Sequence, residues 1–178
     1  MTAAKRTLDL RSELEREHSK RNTLRIAKWI GSDPARFALL MSLVLKGERT
    51  IAQRASWVMS HSIEQTPALA ALWIDKMIRR SCEQDIHNAV QRNIIRSLQL
   101  VEIPKRLRGI AVNVCIENIQ SVHSPIAVKA CSMVVLTNIA MAEPDLKREI
   151  HFLLEPLLLH DAGAIKSSAK KALKRLRI

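Results

Sequence analysis

The sequence is poor in aromatic residues and in glycine. It has no Tyr, two Phe and three Trp, so its apolar residues, 47% of the chain, are mostly Leu, Ile, Val, Ala and Met. Such a composition favours α-helices. Only four Gly are present, which leaves no glycine-rich loop to bind phosphate groups and few tight hairpins. These shortages argue against a nucleotide-binding β-sheet.

Paired cysteines and long apolar runs are also missing. The three cysteines, Cys82, Cys115 and Cys131, show no paired spacing, and the first residues are polar and charged. The longest apolar run, at 152–159, is interrupted by a glutamate and a proline and is far shorter than a bilayer span. We therefore expect a cytoplasmic protein with reduced thiols and no stable membrane insertion.

Prolines divide the chain into helical segments. Five of the six stand where a helix would begin, and proline fits the first helical turn. Asp33 and Thr66 each precede one of them as a candidate N-cap, while Gly31 and Gly47 stand where helices should end. The five prolines are Pro34, Pro67, Pro104, Pro125 and Pro144.

These signals predict five antiparallel helix pairs in one domain that spans residues 1–178. The first helices of the pairs are expected at 5–18, 34–46, 67–81, 104–120 and 144–160. The second helices are expected at 19–30, 49–63, 86–101, 125–142 and 164–178. We expect residues 1–30 to form an N-terminal capping pair and 162–178 a basic C-terminal capping helix, with an apolar stripe that docks and lysines that face water.

A sequence echo recurs every 38 residues in the second helices. Ala52–Ala55 is followed by Val90–Asn93 and then by Val128–Cys131. A helix pair repeated at this period cannot bury its apolar face alone, so neighbouring pairs must stack on one another. The echo therefore predicts an all-α fold of the α-solenoid type.

The segment 124–136 is the clearest match to a known class of repeats. From about residue 33 onward the chain resembles the HEAT and armadillo class, and its layout is similar to that of short bacterial HEAT-repeat proteins. The ladder of Asp and Arg usual in that class is degenerate here, because Glu48 and Asp85 precede two copies of the echo but Ser124 precedes the third. The resemblance implies a fold, and fold alone does not define function.

Charge is divided unevenly between the two classes of helix. The chain has 29 Lys and Arg against 17 Asp and Glu, a net charge of +12. By the predicted boundaries, the second helices hold about half of the basic residues and no acidic residue. In solenoids that resemble this one the second helices line the concave surface, and a basic groove there would attract phosphate backbones or acidic protein segments. A basic face that only contacts water is the alternative.

Partner contacts are predicted for basic side chains of the second helices. Arg54 and Arg92 occupy the same repeat position and should project in register, where guanidinium groups bind phosphate or carboxylate through two hydrogen bonds. For both, the alternative is that they pair with acidic residues of the first helices or stack over the neighbouring repeat. The predicted contact residues are Arg54, Arg92, Arg96, Lys129, Lys166, Lys170 and Lys174.

No motif for covalent catalysis, a cofactor or a metal is present. Trp57 aligns with apolar positions of the later repeats and is expected to pack in the core. Cys82, Asp85 and His87 lie close together at a turn but lack a fourth ligand for zinc. We therefore predict no catalytic residue, no small-molecule cofactor and no metal site.

The leading hypothesis is a non-enzymatic scaffold whose basic concave surface binds an acidic protein segment. Binding of DNA or RNA in the same groove is the alternative. A third hypothesis arises because HEAT-like alkylpurine DNA glycosylases use a similar solenoid. Their chemistry needs a carboxylate and aromatic faces in the groove, for which Asp85 and Trp57 are the only pair available. The oligomeric state is not predicted.

Overall fold

A computed structural model of the chain describes residues 8–177. Within these residues there are ten α-helices and no β-strand. The first helices of the pairs are α1 (Leu10–Arg16), α3 (Pro34–Lys46), α5 (Ile74–Ser81), α7 (Lys105–Gln120) and α9 (Lys147–Leu154). The second helices are α2 (Lys20–Ile30), α4 (Arg49–Gln65), α6 (Asn88–Leu98), α8 (Ile126–Ala142) and α10 (Gly163–Leu176). The predicted all-α solenoid of about five helix pairs is confirmed.

Local signals set the ends of α2 and α3. The Asp33 carboxylate accepts hydrogen bonds from the backbone N–H groups of Ala35 and Arg36, at 2.9 and 3.2 Å, which confirms it as an N-cap. Gly31 ends α2 with φ of +54°, a conformation that glycine adopts without strain. Gly47 ends α3, and a Cβ atom there would lie 2.3 Å from the Leu43 carbonyl oxygen.

The same pattern of a polar residue before proline fails at Thr66. Its side chain makes no capping hydrogen bond, and the segment predicted as one helix at 67–81 begins as a 3₁₀ turn (Pro67–Ala70), so that α5 starts only at Ile74. The prediction at 144–160 is likewise wrong as one helix, because 3₁₀ turns (Pro144–Leu146 and Glu155–Leu159) flank α9. A proline inside the second turn, at position 156, cannot continue an α-helix.

Other predicted boundaries shift by a few residues. Helix α1 begins after its N-cap Asp9 and ends at Arg16, so the predicted range 5–18 is too long. Residues 5–7 of that range lie outside the described residues, and so does residue 178 of the predicted range 164–178. Helix α6 is shorter than predicted, and α4 runs on to Gln65. Glu64 therefore belongs to a second helix, and the prediction that these helices lack acidic residues is wrong.

The second helices stack side by side in the order α2, α4, α6, α8 and α10. Adjacent second helices pack more closely than adjacent first helices do, so the second helices form the inner layer of the solenoid and the first helices the outer layer. The core lies between the layers, where Phe37, Met59, Ile95 and Met133 are fully buried. Among residues 8–177, no helix has the length and apolar character needed to cross a membrane.

Helix α10 closes the C-terminal end of the stack. It packs against α8, α9 and the last 3₁₀ turn. Its buried residues are Ile165, Ala169, Ala172 and Leu176. The spacing of these four places them on one stripe of the helix, and the lysines of α10 are exposed.

Candidate binding surface

Four successive second helices each have a residue that is not buried at the same repeat position. Arg54, Arg92, Ala130 and Ser168 succeed one another at the 38-residue period on α4, α6, α8 and α10, and none of the four is buried. Two of these side chains are long and charged, and two are small. The residue at this position therefore changes from arginine on α4 and α6 to a small side chain on α8 and α10.

Two clefts open on this layer, and three of these four residues line them. The N-terminal cleft has a volume of about 150 Å³ and is lined by His18, Gln53, Trp57, Ala89, Arg92 and Asn93. The C-terminal cleft has a volume of about 270 Å³ and is lined by Gln99, Ala130, Cys131, Val134, Thr137, Ser168, Lys171, Ala172 and Arg175.

Arg54 is engaged in the fold. Its Nη1 atom donates hydrogen bonds to the carbonyl oxygens of Leu14 and Glu15, at 2.7 and 3.0 Å. These carbonyls belong to the last turn of α1, where they have no partner within the helix. The side chain is half-buried. Arg54 thus joins α4 to the end of α1 in the neighbouring repeat, through backbone carbonyls and not through an acidic side chain.

Replacing Arg54 by alanine should therefore destabilise the fold. We expect the free energy of unfolding to fall by about 1–3 kcal/mol, because two charge-assisted hydrogen bonds are lost and two carbonyls are left unpaired. Arg92→Ala is the matched control, since Arg92 occupies the same repeat position but is exposed; its effect should stay within about 0.5 kcal/mol. Urea unfolding of both variants measures the difference, and equal losses would contradict this role for Arg54.

Trp57 lies in the N-terminal cleft and is half-buried. Its ring centroid is 5.3 Å from that of His18 and 6.2 Å from that of His61. The prediction of a core tryptophan is wrong, although Ile95 and Met133 at the same repeat position are fully buried. Trp57 packs against His18, an exposed residue in the turn between α1 and α2.

Glu64 forms a polar cluster near the end of α4. Its carboxylate accepts hydrogen bonds from Nη2 of Arg96 at 3.2 and 3.3 Å, and one of its oxygens lies 3.2 Å from Nδ1 of His61. Arg96, a predicted contact residue, is therefore held in an ion pair across α4 and α6. The predicted end of α4 at residue 63 excluded Glu64 from the second helices, so this pair was not expected from the sequence.

The C-terminal cleft combines an apolar floor with a basic rim. Ala130, Val134 and Ala172 contribute apolar surface, and Lys171 and Arg175 of α10 stand at the side. Nη2 of Arg175 donates a hydrogen bond of 2.9 Å to the side-chain oxygen of Asn138. Nδ2 of Asn138 in turn donates to the carbonyl oxygen of Gln99 at 3.1 Å. Asn138 on α8 and Gln99, which follows the last residue of α6, thus hold the side chain of Arg175 in place.

The thiol of Cys131 shares this cleft. Burial raises the pKa of Cys131, while a hydrogen bond with the Gln99 side chain and the charges of Arg96 and Arg92 lower it. By contrast, burial raises the pKa of Cys115 to about 12, which keeps that thiol protonated inside the core.

The remaining predicted contact residues do not line either cleft. Lys166, Lys170 and Lys174 are exposed on α10, and the cleft presents Lys171 and Arg175 of the same helix instead. Lys129 is half-buried. The 38-residue register did not identify Lys171, because the residues that it aligns with are Trp57, Ile95 and Met133, and the last two are fully buried. A binding role for these four lysines stays a prediction.

The candidate catalytic and zinc-binding residues are not assembled. Asp85 is exposed and does not line the cleft that contains Trp57. Nδ1 of His87 accepts a hydrogen bond of 3.1 Å from the backbone N–H of Ala89, so His87 acts as the N-cap of α6. Within residues 8–177 no group of three or more His, Cys, Asp or Glu side chains lies close enough to hold a metal ion.

The stacked helix pairs and the open inner layer define an α-helical-repeat protein of the solenoid type. The family model of the HEAT repeat domain matches residues 10–176. The chain belongs to this HEAT repeat family, as its resemblance to that class implied. Comparison with the curated proteins and with the solved structures gave no significant match. Members of the family are typically scaffolds that mediate interactions.

Proposed function

We propose that the protein is a non-enzymatic binding module whose inner layer holds an acidic protein segment. The observation that carries this proposal is the pairing of a partly apolar cleft with an exposed cation at two places on the same layer: Arg92 in the N-terminal cleft and Lys171 in the C-terminal cleft. Neither cation takes part in an ion pair within residues 8–177.

The balance of charge on the inner layer favours a negatively charged partner. Glu64 is the one carboxylate within the observed second helices, and it is already paired with Arg96. The basic side chains at the two clefts therefore face no nearby acid of their own layer. An acidic segment would be attracted there and oriented by these charges.

The arrangement of the cations favours a protein segment over a nucleic acid. A phosphate backbone carries charge at regular short intervals and is bound by a regular series of cations. At the repeat position that runs along this layer, Ala130 and Ser168 are uncharged and Arg54 binds the end of α1. Arg92 is therefore the single cation of these four residues that is not bound to the backbone, and its one hydrogen bond within the described residues, of 3.4 Å, goes to the side chain of Asn93. A peptide can match such a discontinuous pattern.

Nucleic-acid binding is the second candidate, and the N-terminal cleft is the observation that favours it. The half-buried face of Trp57 lies in the same cleft as Arg92. A base stacked on an aromatic ring beside an arginine is a common arrangement in proteins that bind single strands.

Binding assays with two labelled probes distinguish the candidates. One probe is a glutamate peptide of about twelve residues, roughly 40 Å long when extended, and the other is an oligothymidylate of the same number of units. We expect the peptide to bind more tightly than the oligonucleotide at physiological salt. A tighter oligonucleotide, with a log-log salt slope near −0.7 per contacted phosphate, would favour the second candidate. Binding of neither probe would overturn the proposed function.

A further inference from the structure

We infer that the C-terminal cleft is an anchor site for one large apolar side chain of the acidic segment, with Lys171 and Arg175 binding carboxylates beside it. This inference rests on the proposed function and names the feature of the partner that the cleft recognises. The cleft was not among the binding residues predicted from the sequence, and its lining comes from α6, α8 and α10 together.

The cleft exists because the repeat position changes from arginine to small residues. Arg54 and Arg92 fill this position on α4 and α6, whereas Ala130 and Ser168 occupy it on α8 and α10. The small side chains leave a space of about 270 Å³ between the two helices. Its floor includes Val134, which is half-exposed. An aliphatic or aromatic side chain that enters this space removes its own apolar surface and that of the floor from water.

The rim supplies charges at a fixed spacing. Lys171 and Arg175 are four residues apart on α10, so they lie on one face of the helix. Arg175 uses one donor on Asn138, and its guanidinium group keeps further donors for a carboxylate. Lys171 has no ion-pair partner among the described residues. The chemistry of the site therefore fits an apolar residue flanked by Asp or Glu.

Two labelled peptides test the anchor. The first is the glutamate peptide described above, and the second has one central glutamate replaced by phenylalanine. Burial of a phenylalanine side chain should raise the affinity for the full-length protein by about tenfold or more. A phenylalanine peptide that binds no more tightly than the glutamate peptide would overturn the inference.

Variants of the cleft separate apolar anchoring from charge attraction. Ala130→Arg restores the residue found at this position on α4 and α6, so it fills the cleft while adding positive charge. The glutamate peptide should bind this variant at least as tightly as the parent, and the advantage of the phenylalanine peptide should disappear. Val134→Ser, a smaller change at a half-exposed residue, should reduce that advantage about threefold or more by making the floor polar. An unchanged advantage in both variants would place the anchor elsewhere.

Cysteine alkylation locates the bound side chain. Cys131 lines the cleft, whereas Cys82 is exposed and lies outside it. Saturation with the phenylalanine peptide should slow the alkylation of Cys131 by N-ethylmaleimide at least fivefold and leave Cys82 unchanged. An unprotected Cys131 would overturn the anchor inference. Binding of the glutamate peptide alone would then still support the proposed function, and failure of both peptides to bind would overturn that function itself.

Discussion

Replacing Phe37 by alanine is expected to lower the free energy of unfolding by about 3–5 kcal/mol. Phe37 lies on α3, is fully buried and is among the largest of the fully buried side chains. Its removal takes away apolar burial and leaves a cavity in a core that joins the two layers of the solenoid. Denaturant unfolding followed by far-UV circular dichroism measures the loss.

Leu39→Ala is the control for this prediction. Leu39 lies two residues further along the same helix and is 58% exposed. The two substitutions both introduce alanine into α3 at a similar distance from its end, so they differ mainly in how much buried side chain they remove. We expect its effect to stay within about 0.5 kcal/mol. Similar losses for the two variants would show that α3 does not face the core as described.

Reversing one cation at each cleft should have the largest effect on binding. The double variant Arg92→Glu and Lys171→Glu should bind the glutamate peptide about 100-fold more weakly, because two attractive contacts become like-charge contacts. Both residues are exposed, so the fold should tolerate the change. Fluorescence anisotropy at physiological salt measures the affinity, and circular dichroism checks the helix content.

A second double variant has the same change in net charge at other places. Arg106 lies on α7 and Arg148 lies on α9, both in the outer layer away from the lining of the two clefts, and both are exposed. Arg106→Glu with Arg148→Glu should change the affinity by no more than about threefold, because salt screens charges beyond roughly 8 Å. Equal losses in the two double variants would mean that net charge, and not the inner layer, controls binding.

Much of the fold followed from local signals in the sequence. The Asp33 carboxylate and Pro34 define the start of α3 through contacts within one turn, and Gly47 defines its end. Such signals act over a few residues and can be read directly. Thr66 and Pro67 form a similar pair, yet the chain there turns as a 3₁₀ segment that buries Leu69 and Ala70. That choice depends on packing against other helices, which the local pattern does not contain.

The candidate site was less predictable than the fold because equivalent repeat positions have different neighbours. Arg54 and Arg92 are equivalent in sequence, but the end of α1 lies within reach of Arg54. Trp57 and Ile95 are equivalent too, but Ile95 is fully buried whereas Trp57 is half-buried beside His18. Contacts between residues about 40 positions apart decide these differences, and a repeat alignment does not reveal them.

Helical phase decided which basic residues of α10 line the cleft. Lys170 and Lys171 are adjacent in the sequence, and consecutive residues of a helix point about 100° apart. Only Lys171 lines the cleft. The sequence predicted a basic capping helix at this end of the stack, and the lysines of α10 are exposed. The register against α8 was needed to identify the side chains that face the inner layer.

Photo-crosslinking of a bound acidic peptide shows directly whether the inner layer of the solenoid binds an acidic segment. A glutamate peptide with a benzophenone group at its centre is bound to the full-length protein, irradiated and mapped by mass spectrometry. Crosslinks are expected on the inner layer, to the clefts that contain Trp57 and Val134. Crosslinks confined to the outer helices α3, α7 and α9 would contradict this expectation.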